Sequence, residues 1–371
     1  MVDATFECTL AEALEHVKLQ VRRAKQGKTP RTVMLWGRPG IGKTDGCQAV
    51  AAEENVEFIP FNLAMRDPTD IKGLGKVTED GYTQWSKDET FFPKNNGHRL
   101  VLIDDFTIAP PTLQAAAQEL INNRQVGGRI ISDKVILVMA GNYEKDKSFT
   151  SAMPASTANR PLHLFVVPKA QDWIFWAAKR NVHPVVLSAI NMWENILFGD
   201  PKSSTPWPSP RSWYNMHRYH QDMYEDRGGQ GMYPTFDETI VHGYLGGEAA
   251  VKFMTVAKDQ VLMDMLQKIK DGKLQGSDPK IAKLTAPQQF AIVMGVVQVM
   301  DVHMAKDWLV EMNTNQDDIP VAGIYYLLKQ DPKNMDIIYN ADGGSYLVNK
   351  VHKRFGALLN SDDVFKSGVS V

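Results

Sequence analysis

The stretch Gly37-Arg38-Pro39-Gly40-Ile41-Gly42-Lys43-Thr44 fits the pattern G-x-x-x-x-G-K-[ST] at every position. Glycines let the backbone turn tightly enough for several N–H groups to point inward at phosphate oxygens. A helix beginning near Lys43 would add the positive end of its dipole. Lys43 then suits the β- and γ-phosphates of a nucleotide, and the Thr44 hydroxyl suits Mg²⁺. Thr32–Trp36, just before the motif, is a short apolar run of the kind a buried strand shows. Strand, glycine turn and helix together separate a phosphate-binding loop from an ordinary glycine-rich turn. Gly37, Pro39, Gly40, Ile41, Gly42, Lys43 and Thr44 are therefore the candidate nucleotide-binding residues.

Outward from this loop the chain alternates. A capping-box spacing at Thr9 and Glu12 precedes a helical face of Leu10, Leu14, Val17 and Val21. Further strands are expected at Phe58–Leu63, Leu100–Ile103, Val135–Ala140 and Leu162–Val167, with helices near Lys43–Glu54 and Leu113–Asn122. Strands alternating with helices predict an α/β core with a five-stranded, mostly parallel sheet. After Pro168 the pattern turns helical: Trp173–Arg180, Val185–Phe198, Trp213–Met223, 249–269 and 286–312. Phe290, Val293, Val297, Met300 and Met304 form an apolar stripe read as packing. Asp200–Pro210, rich in proline and serine, reads as a loop. The expected division is a core over 1–168, a helical lid over 169–258 and a mainly helical extension over 259–371.

Leu100-Val101-Leu102-Ile103-Asp104-Asp105 is an apolar strand ending in acid, which supplies the second metal-side group that a phosphate-binding loop needs. Asp104 is placed to hold Mg²⁺ through water. Asp105 is placed to polarise the attacking water.

Composition narrows the class. Of 371 residues, 43% are apolar and 23% charged, as in soluble globular proteins. A net charge of −2 gives no support for strong non-specific nucleic-acid binding. The only cysteines, Cys8 and Cys47, form no disulfide framework and no CxxC pair. No basic stretch followed by an apolar run opens the chain, and Phe290–Met300 is too short to span a bilayer. These features lead to the expectation of a cytoplasmic protein. His217 and His220 lie one turn apart, but no third ligand is spaced to complete a metal site.

The phosphate-binding loop, Asp104-Asp105, Ala140-Gly141-Asn142, Ala158-Asn159-Arg160 and Ser209-Pro210-Arg211 occur in the order of an AAA+ ATPase. The surrounding sequence resembles the MoxR branch, particularly its phage-encoded or prophage-like members, over roughly residues 5–255. The resemblance implies ATP and Mg²⁺ as cofactors and ATP hydrolysis as the reaction. It implies that Asn142 orients the lytic water and that Asn62 holds the Asp105 carboxylate. Arg160 corresponds to the arginine finger, reaching a neighbouring subunit's site. Arg211 corresponds to the residue that touches the γ-phosphate from the lid. Most relatives carry Glu where this chain has Asp105, one methylene shorter. Lys72 and Leu74, in an insertion between the second and third strands, would face a ring pore. A hexameric ring, a partner bearing a von Willebrand factor A domain and a protein rather than nucleic-acid substrate are further implications. A nucleic-acid motor or loader and a nucleotide-gated scaffold with little turnover are the alternatives.

Overall fold

The computed structural model describes residues 6–143, 152–201, 204–230, 235–316, 318–331, 333–339 and 346–351. The chain divides into two compact units, Met1–Lys169 with Asp200–Ser204, and Ala170–Gly199 with Thr205–Val371.

The first unit begins with β1 (Glu7–Cys8), α1 (Leu10–Lys25), β2 (Val33–Trp36), α2 (Lys43–Glu53) and β3 (Glu57–Asn62). The Thr9 hydroxyl accepts from the Glu12 N–H while Glu12 accepts from the Thr9 N–H, so the expected capping box starts α1. Next come α3 (Pro68–Lys72), β4 (Gly75–Val77), β5 (Thr83–Trp85) and β6 (Arg99–Asp104). The unit closes with α4 (Pro111–Asn123), β7 (Gln125–Val126), β8 (Arg129–Ile130), β9 (Val135–Gly141), α5 (Ala155–Ala158) and β10 (Leu162–Val166).

Six strands form one sheet in the order β1-β10-β2-β9-β6-β3, and every pair in it is parallel. The sequence led to five strands. The sixth, β1, is two residues long, too short to carry an alternation, and it docks beside β10. At the opposite end β3 carries Pro60 opposite Leu102. An edge strand tolerates proline because one of its sides makes no ladder bonds. Strands β6 and β9 are buried on both faces, which explains why they read as continuous apolar runs. Met34, Val101, Ile103, Leu137 and Met139 pack on one face with Leu113, Ala117, Leu120 and Ile121 of α4. Helix α1 lies against β2, β9 and β10, and α2 lies against β3 and β6.

Arg99 is buried at the start of β6. It pairs with Glu57 at 2.7 Å and donates to the Glu89 carbonyl. The insertion after β3 is more ordered than a plain loop. Asp67 caps α3 reciprocally with Asp70, and β4 and β5 form an antiparallel hairpin. Arg129 Nη1 on β8 donates to the Trp85 carbonyl at 3.0 Å.

The second unit is helical: α6 (Ala170–Ala178), α7 (Pro184–Met192), α8 (Pro210–Asp226), α9 (Glu238–Leu245), α10 (Gly247–Ala257) and α11 (Gln260–Lys270). It continues with α12 (Ala286–Val299), α13 (Val302–Val310), α14 (Asp318–Gln330), α15 (Asn334–Tyr339) and a helical run at 346–351. Two helical stretches expected to be single are broken. Asp259 starts α11 by accepting from the Leu262 N–H, and Asp301 starts α13 by accepting from His303 and Met304. Aspartate favours such caps because its carboxylate satisfies an orphan donor. The second break displaces the expected stripe: Phe290, Val293 and Val297 are buried, whereas Met304 is exposed. Every residue from Gln289 to Val297 is buried, so α12 is a central helix with no polar face. One apolar core spans the described residues from Ala170 to Val351.

Candidate active site

The phosphate-binding loop joins β2 to α2. Gly40 and Gly42 have φ of 82° and 96°, a left-handed backbone that glycine enters without cost. Gly42 is also the N-cap of α2, so the loop leads directly into the first free N–H groups of that helix. Lys43 is buried. Its Nζ donates to the carbonyls of Gly37 at 2.6 Å and Arg38 at 3.2 Å, and to Asn142 Oδ1 at 3.2 Å.

Parallel pairing brings the other groups to the same end of the sheet. Asp104 closes β6, and Thr44 Oγ1 donates to its Oδ2 at 2.7 Å. Asp104 Oδ1 accepts the Asp105 N–H at 2.9 Å. Asp105 has φ 54°. Its Oδ2 accepts from Asn62 Nδ2, at the end of β3, at 2.8 Å. Asn142 follows β9, the strand between β2 and β6. The loop, the acid pair and the amide thus sit on neighbouring strand ends.

Thr107 fixes Asn142 from behind and was missed in the sequence. Its Oγ1 accepts the Asn142 N–H at 2.9 Å and donates to the Asn142 carbonyl at 3.2 Å. A Cβ on Gly141 would come within 2.8 Å of Thr107 Cγ2 and 2.7 Å of Met34 Cε. Glycine there permits the approach.

The donor set fits a magnesium nucleotide. A threonine hydroxyl beside a carboxylate offers the few hard oxygens that Mg²⁺ takes from protein while keeping several waters. Asn62 Oδ1 is buried without a partner, an acceptor available to a water next to Asp105. Among the described residues no group of three His, Cys, Asp or Glu side chains could hold another metal. Cys47 is buried in α2, where burial and then the Asp104 charge push its thiol pKa up.

A family described as RNA helicase matches residues 33–160. No curated protein matches the chain. Among solved structures it is similar to the R170A variant of Thermotoga maritima RuvB, at 13% identity, over 72% of this chain and 78% of that one, with a TM-score of 0.37. The Thermotoga maritima RuvB Holliday junction branch migration motor gives 12% identity, 72% and 78% coverage and a TM-score of 0.36. A candidate ATPase from Cytophaga hutchinsonii gives 15% identity, 67% and 84% coverage and a TM-score of 0.29.

The core is an α/β fold whose parallel sheet carries a phosphate-binding loop between β2 and α2. In this core, Arg160 follows α5 and is exposed, with Nη1 at 3.5 Å from the Asn122 carbonyl. It is not drawn into the cluster around Lys43. Lys72 ends α3 and Leu74 follows it, both exposed. In the helical unit Arg211 is exposed in the first turn of α8, whose N-cap Ser209 accepts from the Ser212 N–H at 3.1 Å. Trp213, beside it, is a packing residue: its indole donates to the Ile196 carbonyl at 2.9 Å and its ring meets Phe253 edge-on. His217 and His220 are buried against Tyr214 and Phe236 respectively. No described helix is long and apolar enough to cross a membrane.

Proposed function

We propose that the chain is a Mg²⁺-dependent ATPase that works as a ring, remodelling a protein partner in the manner of the MoxR branch. The observation that carries this reading is the 2.7 Å contact of Thr44 with Asp104 at the mouth of the loop, with Asp105 and Asn142 on the adjoining strand ends. In this reading Lys43 and the inward N–H groups of Gly37–Thr44 hold the β- and γ-phosphates. Thr44 and Asp104 would hold Mg²⁺, which would supply charge neutralisation at the phosphate oxygens. Asp105 accepts hydrogen from the attacking water, Asn142 orients that water, and Asn62 aims the Asp105 carboxylate. Arg160 stabilises transition-state charge in a neighbouring site, a role arginine performs in trans. Arg211 reports the γ-phosphate from a lid over 169–258, and 259–371 forms an extension beyond it. Lys72 and Leu74 face a central pore. The MoxR resemblance supports a hexamer, a partner with a von Willebrand factor A domain and a bacterial or phage-infected host cytoplasm.

A second reading, a nucleic-acid motor, is favoured by the RNA helicase match over 33–160. One experiment separates the readings. ATP hydrolysis is measured against protein concentration for wild type and Arg160→Ala, with and without RNA or DNA at two salt concentrations. Specific activity that rises with concentration and falls by about 10³-fold or more in the variant supports a shared site. Turnover indifferent to concentration and to the substitution sinks the ring. Strong stimulation by nucleic acid with steep salt dependence transfers the reading to the motor. ATP binding without turnover transfers it to a nucleotide-gated scaffold.

A further inference from the structure

His163 stands on β10, three residues after Arg160, and both its ring nitrogens are engaged. The Trp36 indole N–H donates to Nδ1 at 2.7 Å, and Nε2 lies 2.7 Å from the Ala158 carbonyl. An indole N–H only donates and a carbonyl only accepts. Nδ1 therefore accepts and Nε2 donates. The ring also lies nearly parallel to Trp36 and Phe165, with centroids 6.0 and 6.5 Å away. The two partners hold special places in the chain. Trp36 is the last residue of β2 and immediately precedes Gly37. Ala158 is the last residue of α5, and Asn159 and Arg160 follow it.

Among the described residues helix α5, which packs on α4, has few other polar ties. It is a single turn, its N-cap Pro154 makes no side-chain cap, and the buried Thr157 hydroxyl has no partner. Gln118 of α4 reaches Ser156 at 3.1 Å, and the Arg160 N–H donates to the Thr157 carbonyl at 3.1 Å. Among the described residues the Arg160 side chain has only its long contact to the Asn122 carbonyl. Where its guanidinium starts from is thus set by the backbone that His163 holds.

We propose that His163 is a positioning residue that fixes the Arg160 segment to β10 through its bond to the Ala158 carbonyl. This rests on Arg160 acting in a neighbouring subunit's site. A catalytic group displaced by about 1 Å can lose on the order of 100-fold in rate, so the anchor matters for turnover and not for nucleotide binding.

The test uses the full chain. His163→Phe keeps the ring stack and removes both bonds. His163→Asn carries an amide oxygen near the place of Nδ1, keeps the indole bond and loses the one to Ala158. His163→Gln carries its amide N–H near the place of Nε2 and can restore the Ala158 bond. The Phe and Asn variants are expected to lower kcat by roughly 10- to 100-fold, with KM for ATP and the thermal midpoint close to wild type. His163→Gln is expected to recover most of the loss. In an Arg160→Ala background none of the three should lower kcat further. Wild-type turnover in His163→Asn, a raised KM, or losses that multiply with that of Arg160→Ala would overturn the anchor while leaving the finger intact. Arg160→Ala turning over like wild type would overturn both. Should His163→Phe fail to fold, the Asn and Gln pair decides alone.

Discussion

Asp105 occupies a left-handed backbone, φ 54°, which aspartate and asparagine enter more readily than longer side chains. Its carboxylate is already aimed by Asn62. Asp105→Asn should keep that backbone and remove the charge. We expect kcat to fall by about 10²- to 10⁴-fold with ATP affinity unchanged, read by steady-state turnover and equilibrium binding; undiminished turnover would take Asp105 out of the chemistry. Thr107 gives a second residue-scale prediction. Thr107→Val leaves the buried Asn142 N–H and C=O without their partner and should cost about 1–3 kcal/mol in denaturant unfolding, together with a loss of turnover. Thr107→Ser keeps both bonds and should behave nearly as wild type. Lys43, Thr44 and Asp104 were legible in the sequence because their chemistry is written in local motifs. Thr107 and His163 were not, because their partners lie 35 and 127 residues away and a threonine or histidine alone carries no spacing.

At the scale of elements, strands and helices with a period of their own were readable to within a few residues. The failures have physical causes. The strand β1 and the short hairpins β4–β5 and β7–β8 carry too few residues for a period, and their geometry is fixed by what they dock on. Helices α10 and α11, and α12 and α13, read as continuous because a capping aspartate in mid-run looks like any polar position. Helix α8 carries a pH-dependent feature. Burial, then the neighbouring Arg218 charge and His220, push the His217 pKa down to about 4 from 6.5. The unfolded chain takes up this proton at higher pH than the folded one. Stability from keeping His217 neutral is complete above about pH 6.5 and is lost as pH falls towards about 4, by roughly 3 kcal/mol in all. Unfolding titrations between pH 7 and pH 4 should show this decline, and His217→Gln should flatten it. An equal decline in the variant would assign the loss to other groups.

For the whole molecule, the α/β character and the helical character after Pro168 were both visible, since one follows from alternation of strands with helices and the other from their cessation. The apolar core of the second unit runs, among the described residues, from Ala170 to Val351. A sequence does not show which faces its helices share, and the stretch Gln289–Val297 of α12 is buried around its whole circumference.

The two ends of the sheet have a consequence for how copies of this chain meet. An open strand edge is a template for the next molecule, and proteins blunt it with proline or very short strands. Here β3 closes one end with Pro60, and β1 closes the other with two residues. Neither end invites a neighbour to continue the sheet, which turns self-association towards faces and loops, where it can remain finite. Pro60→Val restores a backbone donor on the outer strand. At high concentration that variant should scatter several-fold more light than wild type on gentle heating, while its folding midpoint changes little. Scattering equal to wild type would mean that something other than Pro60 guards that border.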